Sequence, residues 1–355
     1  MPALSGDPFV SVILAIRNEA GFIDRTLTAI LEQDFPRERM EVLIADGQST
    51  DSTRAVIGSI AARYSAPTVT ILDNPGRFVS PGLNAALAAA KGEIIVRIDG
   101  HTIVEGDYVR ECVDALLRTG ADNVGGRMDP VGRNAFGMAV ALATSSPFGV
   151  GGARFHYSTE EEWVDTVYLG AWPRAIFELL GGFDEEQIRN QDDEFNYRLR
   201  ERGGKVLLTP RIRSRYFNRG TLQSLWMQYY QYGFWKVRVM QKHPKQMQTR
   251  QFVPALFVCG WAALAAGAVV ATPARYLLAG AATLYLGASA LAAVSVARKQ
   301  AQTRLAPLVM LSFGVLHFAY GLGFLAGLVR FRGRWRKTTQ PLAAHGSGSS
   351  TNVPN

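Results

Sequence analysis

Cysteine is nearly missing, with two in 355 residues, Cys112 and Cys259, far apart in the chain. That excludes a disulfide framework and the paired spacing of a structural zinc site, and it fits a reducing compartment. No G-x-G-x-x-G follows the first strand-like run, which argues against a dinucleotide oxidoreductase. IRNEAGF is not the basic, glycine-rich phosphate loop that a nucleotidyltransferase wants near its start. The opening MPALSGDPF lacks a basic region followed by a long apolar core, and VSVILAI is cut short by Arg17, Asn18 and Glu19. No signal sequence is read there, and the N-terminal part is expected to stay in the cytoplasm. Acidic charge is in deficit: 30 Asp and Glu against 38 Lys and Arg leave a net +8. Such a balance suits nucleic acid, anionic lipid or a phosphate-rich ligand. Much of the basic charge borders apolar stretches, so lipid is the simpler partner and no nucleic acid is expected.

What is present first is alternation. Phe9–Ile16 is a nearly continuous apolar run, as in a strand covered on both faces. Ala20–Gln33 has helical spacing through Phe22, Leu27, Ile30 and Leu31. Met40–Ala45 reads as a strand ending at Asp46, and Ser52–Tyr64 as a helix with Asp51 near its start, where a carboxylate suits free N–H groups. Thr68–Leu72 is a third strand. Ser80, Pro81 and Gly92 bracket an alanine-rich helix as cap, first-turn proline and terminal glycine. Glu93–Ile98 is a fourth strand. The pattern predicts an α/β fold with a doubly wound, mostly parallel sheet over residues 1–220. After about residue 120 it loosens: GGRMDPVGR and SSPFGVGGARF read as loops, and QDDEFNYRLRERGG as a charged helix stopped by Gly203 and Gly204.

From Phe252 the composition changes. Phe252–Thr272, Tyr276–Ala297 and Leu305–Val329 are almost uncharged and each long enough to span a bilayer, so residues 251–330 form a helical membrane region by expectation. RKQAQTR and RFRGRWRK are both basic and both want the cytoplasmic side, which three full crossings do not allow. Ahead of them, in residues 221–250, Leu222–Met240 puts Leu225, Trp226, Tyr229, Tyr230 and Val237 at helical spacing beside Lys236, Arg238, Lys242 and Lys245, which predicts an amphipathic helix on the membrane surface. Residues 331–355 are basic at first, then polar and rich in Gly and Ser, a composition that predicts disorder beyond Lys337.

In open α/β sheets ligands gather outside the carboxyl ends of the strands. Here those ends carry Arg17 and Glu19, then Asp46, then Asp99 and His101. Each alone has a plain reading: Asp46 in DGQSTDST is a candidate Asx turn, and Asp99-Gly100 a turn after a strand. Together they gather carboxylates that repel one another unless a cation lies between them. Asp99 offers a hard oxygen and His101 an imidazole, a pair that suits Mn²⁺, with diphosphate oxygens completing the shell. A second acidic group, Asp192, Asp193 and Glu194, opens the charged helix, where acids are favoured anyway and where one could serve as general base.

Taken jointly and in order, VSVILAIRNEA, DGQSTDST, NAALAAAKGEIIVRIDGH, GGFDE and QDDEFNYRLRERGG resemble family 2 glycosyltransferases of the GT-A fold, over about residues 8–215. The GAWPR…GGFDE…QDDEF order and the apolar C-terminal stretches are most similar to membrane-bound, succinoglycan-type glucosyltransferases. The resemblance implies that Ile16, Arg17 and Glu19 line a nucleoside pocket, that Asp46 binds base or ribose, and that Asn84 and Asp99 belong to the donor site. Asp99 matches the first acid of the family's Asp-x-Asp metal motif; His101 stands at the second, so Asp99 and His101 would hold Mn²⁺ or Mg²⁺. Asp192 falls at the catalytic base and Gln191 at the acid before it, with Glu194 and Arg198 supporting. The implied reaction inverts the anomeric carbon, moving one sugar from a nucleotide-sugar, UDP-hexose first, to a lipid-linked saccharide at a bacterial inner membrane, with the catalytic domain cytoplasmic and the chain multi-pass. Processive relatives carry Gln-x-x-Arg-Trp; Gln231 and Trp235 match, Phe234 does not, and a single addition is expected. A non-catalytic membrane scaffold that keeps the fold is the rival of another class.

Overall fold

The computed structural model describes residues 4–335, so the tail expected to be disordered beyond Lys337 lies outside the described residues. Its first part alternates as the sequence predicts: β1 (Val10–Ile16), α1 (Ile23–Leu31), β2 (Met40–Asp46), α2 (Thr53–Ala61), β3 (Thr68–Asp73), α3 (Val79–Ala89) and β4 (Ile94–Arg97). These four strands pair in parallel in the order β3-β2-β1-β4. β1, β2 and β4 are buried on both faces, which is why they are apolar without alternation. One apolar layer, with Leu27, Ile30, Ile57 and Leu116, covers one side of the sheet; the other, with Leu83, Trp172, Phe177 and Phe195, covers the opposite side.

The chain winds outward from β1 to β3 and then returns to place β4 on the other side of β1. The carboxyl ends of β1 and β4 therefore flank the switch point, where such sheets leave a crevice. Register sets the depth of that crevice. Ile16 lies opposite Asp46, whereas β4 pairs only up to Arg97 opposite Ile13, so Asp99 and Gly100 run on beside the end of β1. A Cβ on Gly100 would sit 2.7 Å from the Ile16 side chain, and only glycine allows this approach.

Beyond β4 the sheet becomes mixed. It continues through β5 (Thr102–Val104), α4 (Tyr108–Thr119), β6 (Asn123–Val131), α5 (Ala135–Thr144), α6 (Pro147–Val150), β7 (Glu162–Val164), β8 (Tyr168–Pro173), α7 (Arg174–Leu180), α8 (Gln191–Glu201) and β9 (Val206–Phe217). β8 runs antiparallel between β4 and β6, and β6 is parallel to β9. Pairing is thus all parallel among the first four strands and mixed beyond them. The loop-like readings of GGRMDPVGR and SSPFGVGGARF miss β6 and the short α6, whose patterns glycines interrupt, and α5 lies unassigned between them. Gly203, at φ +79°, ends α8 as expected. Ser80 does not cap α3; it lies inside the helix and its Oγ donates to the Gln187 carbonyl at 3.0 Å.

The remaining helices are α9 (Leu222–Lys242), α10 (Val253–Val270), α11 (Thr272–Lys299) and α12 (Ala306–Arg330). α10, α11 and α12 are each long and apolar enough to cross a membrane. They are not alike: 11% of the apolar window is buried in α10 and in α11, but 50% in α12. The basic side chains of α9, expected to face lipid headgroups, face the sheet domain instead. Lys236 pairs with Asp193, Arg238 with Glu186 at 2.8 Å, and Lys242 with Asp184 and Glu186.

Candidate active site

Asp99 and Asp192, far apart in sequence, meet at the end of β4. Between them lies Arg97, the last residue of that strand, with a side chain 2% exposed. Its Nε and Nη2 donate to Asp99 Oδ1 at 3.1 and 3.0 Å, and its Nη1 donates to Asp192 Oδ1. The guanidinium also lies over the Phe183 ring. The repulsion expected between these carboxylates is thus met by a buried side chain of this chain. A planar fork with several donors can bridge two acids as a single ammonium cannot.

His101 sits in the turn that leads from β4 to β5. Its Nδ1 lies 3.3 Å from Glu19 Oε1, and its ring meets Tyr216 edge-on. Glu19 also caps α1 through its carbonyl, which accepts from Phe22 and Ile23, while its own N–H donates to Thr53 Oγ1. A carboxylate behind one ring nitrogen fixes the tautomer and aims the other nitrogen outward. Among the described residues no group of three His, Cys, Asp or Glu side chains converges as a closed metal cage. Asp99 Oδ2 and His101 Nε2 nevertheless have no protein partner among these residues, while Asp99 Oδ1 and His101 Nδ1 are held from behind. An open pair of this kind fits a divalent cation that completes its shell with ligand oxygens.

The other site expectations fall into two groups. Arg17 is exposed at the end of β1 and makes no side-chain bond to a described residue, so it is free to meet a ligand. Ile16 is buried against Gly100, forming a wall of the crevice. Asp46 is 1% exposed, and its oxygens accept from Ser49 N and Oγ and lie 3.1 Å from Arg54 Nε. This is the Asx-type turn, and it shapes the DGQST loop from within. Asn84, expected in the donor site, is bonded here to the loop beside it. Its amide donates to Phe183 O and Glu185 Oε1 and accepts from Phe183 N, so it clamps the GGFDE loop that carries Phe183 under Arg97.

Each acid at the start of α8 has its own cation: Asp192 has Arg97, Asp193 has Lys236, and Glu194 has Arg198 and His243. Burial opposes the charge of Glu194, but His243 and Arg198 outweigh it and hold the carboxyl below its usual range. Burial likewise opposes the charge of Lys236, and the Asp193 carboxylate overcomes it, so the ammonium is held more firmly than usual. Arg198 further donates to Leu180 O and Gly182 O, the support expected of it. Of the three acids, Asp192 is the one that faces the crevice through Arg97.

The residues 11–170 match the model for glycosyl transferase family 2. The succinoglycan biosynthesis protein ExoA of Rhizobium meliloti is 30% identical over 91% of this chain and 96% of its own length. The chain belongs to glycosyltransferase family 2. A Methanococcus voltae dolichyl N-acetylglucosaminyl phosphate glycosyltransferase is 28% identical over 66% of this chain and 74% of its own length. Two solved structures share the GT-A fold: the mannosyltransferase PcManGT of Pyrobaculum calidifontis (TM-score 0.61, 23% identity, 89% of each chain) and residues 1–349 of S. aureus TarS (TM-score 0.51, 15% identity, 91% of each chain). For this family 2 enzyme, sequence reasoning named Asp99, His101 and Asp192 as candidates, which lie around the end of β4, and passed over Arg97 between two of them. Read as one residue of a strand, Arg97 was invisible; a lone arginine ending an otherwise apolar buried strand was the available signal.

Proposed function

We propose that this glycosyltransferase is an inverting enzyme that moves one hexose from a nucleotide-sugar to a lipid-linked saccharide at the cytoplasmic face of a bacterial inner membrane. The observation that carries the reading is the pair Asp99 and Asp192, brought to the sheet's switch point on opposite sides of one buried guanidinium. Asp192 takes the proton of the acceptor hydroxyl, whose oxygen attacks the anomeric carbon as the nucleoside diphosphate leaves from the other face. Arg17, free at the rim, suits the nucleotide. Asp99 Oδ2 and His101 Nε2 are the donors that would hold Mn²⁺ or Mg²⁺. When bound, the ion neutralises charge on the departing diphosphate. PcManGT, solved in complex with GDP-Man and Mn²⁺, supports both the donor class and the metal. UDP-hexose remains the first donor to test on the family resemblance.

The relatives favour the acceptor class, since one acts on a dolichyl phosphate-linked sugar and the other serves succinoglycan synthesis. Three apolar helices support membrane attachment. Phe234 packs against Phe331 where processive members carry arginine, which supports single addition. The test is a screen of UDP-, GDP- and dTDP-hexoses with a membrane lipid extract and Mn²⁺, read by product mass. One donor should extend a lipid-linked acceptor by a single hexose, and chelation should stop the reaction. Asp192→Asn should bind the nucleotide and transfer nothing. Full transfer by that variant would reject Asp192 as the base, and metal-independent transfer would reject the Asp99 and His101 site.

A further inference from the structure

Length and composition make α12 a third membrane crossing, yet its contacts place it elsewhere. At 25 residues it is about 37 Å long. It touches the catalytic domain along all of that length. Near its start, Leu305, Val309 and Phe313 pack with Ala139, Val140 and Ala143 of α5. Near its middle, His317 Nε2 lies 2.8 Å from the Phe148 carbonyl of α6 and Nδ1 lies 3.0 Å from Tyr285 OH. In its second half, Gly323 and Gly327 let α9 approach so closely that an added Cβ would lie 2.0 Å from Tyr230 O and 2.6 Å from Phe234 O. Past its end, the Phe331 carbonyl accepts from Gln241 at 2.9 Å, and Arg334 pairs with Glu186.

α9 is itself fastened to the catalytic domain from end to end. Gln228 donates to Tyr216 OH, Gln231 accepts from Arg189, and Lys236, Arg238 and Lys242 pair with Asp193, Glu186 and Asp184. A crossing α12 would carry α9 and these charged pairs to bilayer depth, where ionised groups are expensive. The face of α12 turned away from α5 and α9 says what lies on its other side. Pro307, Leu311, Gly314, Leu322 and Val329 are exposed or half-exposed there and all are apolar, while Phe318 among them packs on Phe257 and Trp261 of α10. A helix with one face on protein and apolar positions facing out on the other suits the acyl boundary of a leaflet.

We infer that α12 lies along the bilayer, between lipid and the catalytic domain, and that the α10–α11 hairpin alone crosses it among the described residues. This rests on the reading that a bilayer anchors the enzyme. It removes the conflict of charge: Arg298, Lys299 and Arg304 before α12, Arg330 at its end, and Arg332 and Arg334 after it all stay on the side of the catalytic domain, as basic segments prefer. Only Arg275 lies near the far turn, where it caps Ala268 O. The lengths agree. Phe257 and Tyr285 flank α12 at His317, and from that level about 20 Å of each helix continues to the turn at Ala271. Added to one bedded helix about 10 Å thick, that is about the 30 Å hydrocarbon core.

The test is side-specific labelling with a membrane-impermeant maleimide. Cys259→Ala removes the exposed thiol, and Cys112 is buried and can stay. Single cysteines are then placed by Arg63→Cys on the catalytic domain, Ala271→Cys at the hairpin turn, Gln302→Cys before α12 and Gly333→Cys after it. Gly333 has open space for a side chain. Labelling at 63, 302 and 333 is expected only in inverted vesicles, and at 271 only in intact spheroplasts. Position 333 labelling from the face opposite 302 would overturn the inference for α12; position 271 labelling on the face of 63 would overturn the crossing hairpin. Trypsin on vesicles of the unaltered protein is a check without variants: cleavage at both basic segments from one side only is expected, and cleavage of each from a different side overturns it. Release of the protein by a carbonate wash would instead reject the membrane reading beneath it.

Discussion

Arg97 holds Asp192 and Asp99 in place from one buried strand end. Arg97→Met leaves both acids without that partner, so on the proposed mechanism kcat should fall by at least about tenfold, the scale of a displaced acid–base group. Arg97→Lys, a point charge in place of a fork, should recover part of the rate. An unchanged kcat in a folded Arg97→Met enzyme would show that Arg97 does not position Asp192. His101→Ala should raise the Mn²⁺ needed for half-maximal binding of nucleotide, read by calorimetry. Glu19→Gln should do the same more weakly, since it only aims the ring. Asp99 and Asp192 were legible as candidates because carboxylates at strand ends and helix starts stand out against apolar runs, and the Asx turn of Asp46 was legible from DGQST. The bonds of Asn84 to the GGFDE loop were not, because whether an amide points at a ligand or at a neighbouring loop depends on backbone that the residues alone do not specify.

α8 and α9 act as a pair. The acids of α8 and of the loop before it face the bases of α9, and Glu186 alone meets Arg238, Lys242 and Arg334. The Arg238 hydrogen bond, aided by Lys242, takes the Glu186 carboxyl down to about 2. Its value in an unfolded chain is near the ordinary one, so the folded form is favoured above about pH 4.5, and that gain is lost as pH falls from 4.5 toward 2. Glu186 is partly exposed, and after screening the contribution is about 1 kcal/mol. Thermal midpoints of the detergent-solubilised protein should therefore drop between pH 5 and 3, and Glu186→Gln should flatten that drop while lowering the midpoint at pH 7. Equal pH dependence in both proteins would remove Glu186 from the account. The helical spacing of α9 was legible, but the direction of its charges was not. Basic residues beside aromatics suit either lipid headgroups or a neighbouring acidic surface, and the choice depends on Asp184, Glu186 and Asp193, more than 40 residues away.

At the scale of the whole molecule, catalytic and apolar regions are not separate bodies. α5, which lies between the two stretches read as loops, gives its apolar face to α11 and α12, and α9 gives Val237 and Met240 to a cluster with Phe324 and Phe331. Composition places the boundary near residue 250 because charge disappears there, yet the packing runs across it. A chain ended at Lys245 would lose the apolar helices and, on composition alone, should become a soluble enzyme. The structure leads to a different outcome. The cut uncovers Ala139, Val140, Leu142, Ala143, Leu225, Val237 and Met240 together, a contiguous apolar surface of the kind that drives association. It also removes Arg334 from Glu186 and the Phe331 carbonyl from Gln241. The truncated chain should elute as aggregate without detergent, bind an apolar dye, and lose most transfer activity even toward a soluble acceptor analogue. A monodisperse, fully active domain from that cut would show that α12 is only an anchor, and that the site at the end of β4 is held without it.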